Sequence, residues 1–290
     1  MLSSTRLLCR TALLAFSLCT GTAAHAQVAA ASLPSVESFY ARSTFGAALL
    51  SPNAKYLAVR SGAPDRRDAL VVIDLATNKP TVVAVYDDAD IDAYRWVNDE
   101  RLVYNVADKK SAPGDAMYAP GLYAVNRDGT RHEQLASRGP GGSSGTRKML
   151  PWNTFLLDQA GMQDSEFIYV TNPILDTARE VRHVDLLRLN TLTGQTQKVA
   201  RPHPFKGWIL DHKGEPRIGV TSDDGRMAIY YLDPATASWR QIASFASFGN
   251  PPEAFTPVGF GPDGTMYVTA NAGKDATALH TFNFATGKIN

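Results

Sequence analysis

Apolar residues along this chain come in short bursts, not in helical stripes. Tyr56-Leu57-Ala58-Val59 follows the turn Ser51-Pro52-Asn53-Ala54. Ala69-Leu70-Val71-Val72-Ile73-Asp74 follows a polar loop, and Thr77-Asn78-Lys79-Pro80 turns the chain into Thr81-Val82-Val83-Ala84-Val85. Short runs rich in β-branched and aromatic residues, bounded by Gly, Pro, Asn and Asp, predict strands. Beyond residue 26 no long segment carries a 3.6-residue period, and Pro251-Pro252-Glu253-Ala254 reads as a loop.

The strands recur as a unit. Each unit opens with an apolar strand, a turn and a second strand. The instances are "LLSPNAKYLAV" (49–59), "YRWVNDERLVY" (94–104), "LLDQAGMQDSEFIYV" (156–170), "WILDHKGEPRIGV" (208–220) and "VGFGPDGTMYV" (258–268). A third strand then runs into a second turn, as in "LVVIDLATNKP" (70–80), "LYAVNRDGTRH" (122–132), "LLRLNTLTGQT" (186–196), "AIYYLDPATAS" (228–238) and "LHTFNFATGKI" (279–289). The second-turn anchors Asp74, Asn126, Asn190, Asp233 and Asn283 lie 52, 64, 43 and 50 residues apart.

A period near 50 with four short strands per unit predicts an all-β chain, a β-propeller of four-stranded antiparallel blades, about five in number. One such sheet cannot bury both faces alone, and stacking sheets around an axis solves this. An antiparallel sandwich is the alternative the pattern leaves open. The fifth unit stops at Thr286-Gly287-Lys288-Ile289-Asn290, just after its second turn. The last blade is therefore expected to be incomplete and to lack its outer strand. A propeller normally pairs both chain ends within one blade, so the chain reads as cut short.

The first residues follow a different rule. Arg6 and Arg10, an apolar stretch from Thr11 to Leu18, and Ala24-His25-Ala26 before Gln27 form a secretory signal pattern, with cleavage expected after Ala26. The expected organisation is a signal peptide over 1–26 and a partial propeller domain over 27–290, exported to the periplasm or beyond. No later segment approaches the ~20 apolar residues of a membrane helix, so no membrane contact is expected after signal cleavage. Leu18 stands before Cys19 where a lipoprotein signal wants a small residue. Cys9 and Cys19 both fall within the signal, which leaves the exported chain without disulfide, thiol nucleophile or zinc–thiolate site. Losing Arg6 and Arg10 from 29 basic residues leaves 27 against 28 acidic ones, a net charge of −1. That balance offers nothing to nucleic acid.

Three segments carry a resemblance. "ESFYARSTFGAALLSPNAKYLAV" (37–59), "YRWVNDERLVY" (94–104) and "LYAVNRDGTRHEQL" (122–135) resemble the N-terminal propeller of secreted bacterial serine peptidases of the prolyl-oligopeptidase family (S9). The dipeptidyl-aminopeptidase and acylaminoacyl-peptidase branches belong to it. The resemblance runs from about Val36 to the end and is strongest in the first two units. S-P-[DN]-x-K-Y-L-A, here Ser51 to Ala58, also occurs in other periplasmic propellers such as TolB-like ones, so a stand-alone binding or scaffolding module stays open. The peptidase resemblance implies a propeller of seven or eight blades, then an α/β-hydrolase domain with Ser, Asp and His. No such domain follows here, so that triad has no positions in this sequence. What is implied is a gate admitting short peptides to a missing C-terminal hydrolase domain, not catalytic by itself.

The candidate chemistry within the chain is sparse. Gly141-Gly142-Ser143-Ser144-Gly145 matches the G-x-S-x-G pattern of a hydrolase nucleophile. That pattern needs a buried strand before it and a helix after it. Instead, Ala136-Ser137-Arg138-Gly139-Pro140 precedes it and Thr146 to Pro151 follows, so Ser143 is expected in a linker between blades. The five histidines of the exported chain, His132, His183, His203, His212 and His280, lack H-x-H or H-E-x-x-H spacing. Asp88, Asp90, Asp92 and Asp99 have calcium-loop spacing, but Ala93 replaces the glycine at position six and Tyr94-Arg95-Trp96-Val97 predicts a strand. Trp96, Tyr104, Trp208 and Tyr231 fall at strand positions where packing accounts for them. Some peptidase branches hold a substrate amine with a Glu pair, and only isolated glutamates occur here. No catalytic, cofactor-binding or metal-binding residue is nominated, no cofactor is expected, and oligomeric state and peptide specificity stay open.

Overall fold

The computed structural model describes residue 35 and residues 45–63, 65–109, 121–139, 149–159, 161–249 and 251–290. All of these except Ser35 belong to one compact unit, Arg42–Asn290. Every regular element among the described residues is a strand, and the strands form five separate four-stranded antiparallel sheets, each built from consecutive strands. Blade 1 is β1 (Phe45–Leu50), β2 (Tyr56–Ala63), β3 (Arg66–Asp74) and β4 (Lys79–Ala84). Blade 2 is β5 (Asp90–Trp96), β6 (Arg101–Ala107), β7 (Leu122–Asn126) and β8 (Glu133–Ala136). Blade 3 is β9 (Phe155–Leu156), β10 (Phe167–Leu175), β11 (Val181–Asn190) and β12 (Thr196–Lys198). Blade 4 is β13 (Gly207–Leu210), β14 (Pro216–Asp223), β15 (Arg226–Asp233) and β16 (Ser238–Ala246). Blade 5 is β17 (Thr256–Phe260), β18 (Met266–Ala270), β19 (Ala278–Asn283) and β20 (Lys288–Ile289).

This is a β-propeller architecture of five blades, and a two-sheet sandwich is ruled out. One expectation needs correcting. The fifth blade has its fourth strand: β20 pairs with β19 through Phe282–Ile289 and Asn283–Lys288. Two residues suffice because Asn283 already turns the chain back on itself. No sheet combines strands from the two ends of the described chain.

The core is four apolar layers, one between each pair of consecutive blades. Leu70 and Val72 of blade 1 meet Trp96, Leu102 and Tyr104 of blade 2. Val103 and Leu122, on the other face of blade 2, meet Ile168 and Val170 of blade 3. Leu186 of blade 3 packs with Phe205 and Trp208, and Ile218 and Ile229 of blade 4 pack with Met266 and Phe282 of blade 5. Six residues of β6, Arg101 to Val106, are all buried, because alternate side chains go to different layers.

Polar tips of the buried aromatics stitch the layers together. Tyr94 donates its hydroxyl to the carbonyl of Ala47 at 2.6 Å, and Trp96 Nε1 donates to that of Leu49 at 3.0 Å. Trp208 Nε1 donates to the carbonyl of Val184 at 2.8 Å.

The second-turn anchors work as Asx turns, in which a side-chain oxygen accepts backbone N–H groups two or three residues on. Asp74 Oδ1 accepts from Ala76 and Thr77 at 2.9 and 3.0 Å. Asn190 does the same for Leu192 and Thr193, and Asn283 for Ala285 and Thr286. Asp233 accepts from Ala235. In blade 2 the role passes to Asp128, which accepts from Thr130 at 2.9 Å, because Asn126 Oδ1 receives Arg101 instead.

Candidate functional site

A cavity of about 640 Å³ opens on the face of blade 1 turned away from blade 2. Its apolar floor includes Val71 and Val82, which are cross-strand partners, and Val85 just beyond β4. Arg66 and Arg67 from the β2–β3 hairpin and Tyr86 and Asp87 from the connector to blade 2 also line it. Ser61 and Asp65 join them, so the hollow mixes apolar and charged groups and is open to solvent at Val82 and Val85.

The hairpin is held by ions at the joint with blade 2. Arg67 Nη1 lies 2.8 Å from Asp90 and 2.5 Å from Asp108. Asp90 is fully buried and also accepts the N–H groups of Asp68 and Lys109. Burial works to raise its carboxyl, but those donors and Arg67 outweigh it and hold the group below the usual carboxylate range. Lys109 bridges to Asp68 at 3.0 Å. A side chain on Gly62 would overlap the Asp68 carboxylate, which would have to shift to admit it.

Behind the cavity wall, Tyr86 meets Tyr104 of β6 and His132 of the turn into β8. The two hydroxyls are 2.8 Å apart, and His132 Nε2 is 2.7 Å from Tyr104 and 3.1 Å from Tyr86. Tyr123, across the strand pair from Tyr104, stacks on it at 5.5 Å with a 15° tilt. A neutral imidazole and two phenols can share only two protons among these three contacts, so one contact has no hydrogen between its atoms. Burial pushes the Tyr86 hydroxyl up to about 12 and that of Tyr104 further. Burial, then the charge of Arg101, lowers His132. All three groups are therefore neutral near pH 7. The phenols are too weakly acidic to supply a base, so the cluster suits binding and joint-locking more than proton abstraction.

A smaller cavity of about 170 Å³ lies between turns of blades 3 and 4, with Arg188, Lys213, Glu215 and Asp164 in its wall. Gly214, at φ 75°, lets those turns approach; a side chain there would overlap the backbone of Gly161 and Met162.

The residues singled out by spacing do not converge. Ser143 and its Gly-rich segment lie outside the described residues. Asp88 pairs with Arg138 at 2.9 Å, Asp90 with Arg67, and Asp92 is 3.9 Å from Lys109. Asp99 accepts the N–H of Asn53 at 2.8 Å across the joint with blade 1. Each carboxylate thus has a different partner: Asp88 and Asp99 lie outside β5, and within it an irregularity between Ile91 and Tyr94 breaks the alternation that would put Asp90 and Asp92 on one face. His183 lies 3.4 Å from Asp185, which also binds Lys198 and Arg201. His203 stacks on Tyr230 at 4.3 Å, and His280 Nδ1 is 3.0 Å from the carbonyl of Asn290. His212 is exposed in the turn between β13 and β14. No three His, Cys, Asp or Glu side chains among the described residues are grouped to hold a metal ion.

Tyr86, Arg66 and Arg67 had no spacing signal. The cavity exists only because a hairpin, an edge strand and a connector meet, and the pairing of Tyr104 with His132 needs a turn folded back over β6.

No protein-family model matches the chain, and no curated protein matches it in sequence. Among solved structures it is similar to an oligogalacturonate lyase in complex with manganese, at TM-score 0.53 and 16% identity over 84% of this chain. The chain spans 63% of that lyase. It also matches TolB from Acinetobacter baumannii (TM-score 0.45, 14% identity, 84% of this chain and 53% of that one). A chain from a structural and mechanistic analysis of two prolyl endopeptidases gives TM-score 0.45 and 14% identity, over 85% of this chain and 41% of that one. Identities this low speak to fold alone, and the lyase, above 0.5, agrees with the propeller architecture read from the five sheets.

Proposed function

We propose that the chain is the substrate-gating propeller portion of an exported serine peptidase that acts on short peptides, without catalytic power of its own. The observation that carries this reading is the coincidence of five blades stacked in chain order with the peptidase-like segments 37–59, 94–104 and 122–135 in the first two. The use of charge supports it. Asp90, Asp185 and Asp211 are taken up by Arg67, by Lys198 with Arg201, and by Arg217, in contacts that fix loops and strands. In this reading residues 1–26 direct export, 27–290 form the gate, and peptides reach the chemistry through an α/β-hydrolase domain supplied beyond Asn290.

Determining the coding sequence downstream of codon 290 tests it. An in-frame α/β-hydrolase domain with Ser, Asp and His is the expected result. A stop codon there would sink the peptidase reading and leave a stand-alone binding or scaffolding propeller. The purified chain should not turn over dipeptidyl or acyl-amino-acid chromogenic substrates. Turnover lost in Ser143→Ala would overturn the non-catalytic assignment.

A further inference from the structure

The hollow of about 170 Å³ lies between blades 3 and 4, each of which has a blade on either side. Phe167 and Tyr169 of β10 and Arg188 of β11 face it from blade 3, and Lys213, Gly214 and Glu215 face it from the β13–β14 turn of blade 4. Tyr169 and Arg188 are cross-strand partners, and Phe167 lies two residues from Tyr169 on one strand, so the three share a face. The Arg188 guanidinium sits 3.8 Å over the Phe167 ring, and that stacking holds its plane. Across the hollow, Asp211 accepts the N–H groups of Lys213 and Glu215 at 2.8 and 2.9 Å and so sets the turn.

Arg188 stands apart from the other arginines. Every other half-buried arginine among the described residues has a carboxylate within 3.6 Å, from Asp68 at Arg60 to Asp211 at Arg217. Arg188 has neither a carboxylate nor a hydrogen-bonded carbonyl among the described residues. A half-buried guanidinium with its donors unanswered beside a cavity calls for an anion. The Tyr169 hydroxyl is a further donor without a partner among the described residues, and burial chiefly, then the charge of Glu215, keeps it protonated.

The charges around the hollow balance. Lys213 is a second cation, Asp164 and Glu215 are two anions, and none of the three has an ion-pair partner among the described residues. A dianion such as phosphate would meet both carboxylates and be repelled, whereas a ligand with one carboxylate and one ammonium answers both signs. At about 30 Å³ for each water-sized group, the space admits the smallest amino acids.

We propose that this hollow binds a small free α-amino acid, its carboxylate held by Arg188, Lys213 and the Tyr169 hydroxyl and its ammonium by Glu215 and Asp164. The inference does not rest on the peptidase reading, because the same side chains face the hollow whatever follows Asn290.

Isothermal titration calorimetry of the full chain with L-alanine tests it. The expected result is saturable binding with a Kd at or below about 1 mM. Acetate and ethylammonium each answer half of the site and should bind at least about tenfold more weakly. Arg188→Met keeps a long stem beside Phe167 and removes the donors, and Glu215→Gln removes a carboxylate charge; each should weaken alanine binding about tenfold or more. If the melting temperature of Arg188→Met falls, Lys213→Met, at an exposed turn position, takes its place. A chain that shows no saturable binding of alanine overturns the proposal. So does acetate that binds as tightly as alanine, or alanine binding that the variants leave unchanged.

Discussion

The ring of Phe205 occupies the space where any side chain on Gly219 would stand. Phe205 is completely buried, edge-on to Trp208 at 5.1 Å and 4.9 Å from Trp239. The layer between blades 3 and 4 is built on that fit. Gly219→Ala forces the ring out of its place, at a cost of about 1–3 kcal/mol. Denaturant unfolding should show a lower midpoint with an unchanged slope. An unchanged midpoint would mean the ring moves aside freely.

Arg101 ties blade 2 to blade 3. Its Nη2 donates to the Thr191 carbonyl at 2.9 Å, Nε to Thr191 Oγ1 at 3.2 Å, and Nη1 to Asn126 Oδ1 and the Arg131 carbonyl. Lysine keeps the charge and loses the planar fork. Arg101→Lys should therefore cost about 2 kcal/mol. In a cycle with Thr191→Val the two losses should fall short of additivity by at least about 0.5 kcal/mol. Strict additivity would deny the coupling.

Asp90→Asn leaves Arg67 without its buried partner and should cost about 3 kcal/mol at neutral pH. The sign with pH follows from the carboxyl sitting below its usual range in the fold. Its contribution is complete above the unfolded value of about 3.9 and is lost as pH falls through the lower folded value. Wild type and Asp90→Asn should thus converge in stability only below about pH 4. Convergence near pH 6 would assign the stabilisation to another group.

His132 titrates with the same sign for a different reason. Burial chiefly, and Arg101 next, favour its neutral form in the fold. Its stabilisation is complete above the unfolded value of about 6.5 and declines as pH drops through the lowered folded value. The melting temperature should fall between pH 7 and 5, and His132→Gln should flatten part of that fall. His183 is lowered too, mainly by burial, and accounts for slope that persists in the variant. An identical slope in His132→Gln would remove His132 from the account.

Tyr104→Phe deletes the hydroxyl that lies within 2.8 Å of both Tyr86 and His132, at a cost of about 1 kcal/mol. It should also raise the midpoint of the His132 ring titration followed by NMR if Tyr104 donates to Nε2, because that bond favours the neutral ring. A lowered midpoint would mean that Nε2 is the donor.

The anchors of the second turns were legible because an Asx turn is a local event: the oxygen and its N–H partners lie within three residues. Asp74, Asn190, Asp233 and Asn283 needed no tertiary knowledge. Asn126 fits the same pattern yet serves Arg101, a partner 25 residues away that only the stacked sheets bring near. Asp88, Asp90 and Asp92 have calcium-loop spacing that Ala93 and the strand after it already argue against, and the fold sends each to a different basic side chain. The triangle of Tyr86, Tyr104 and His132 spans 18 and 28 residues and left no periodic trace.

The sequence by itself determined the strand periodicity, the turn chemistry and the five-fold repeat, since these depend on neighbours a few residues apart. Tertiary structure alone decided which face of each blade is covered, where the cavity opens and which charges are buried. Those outcomes depend on how one sheet meets the next, and pairing across a layer joins residues whose separation along the chain has no fixed period.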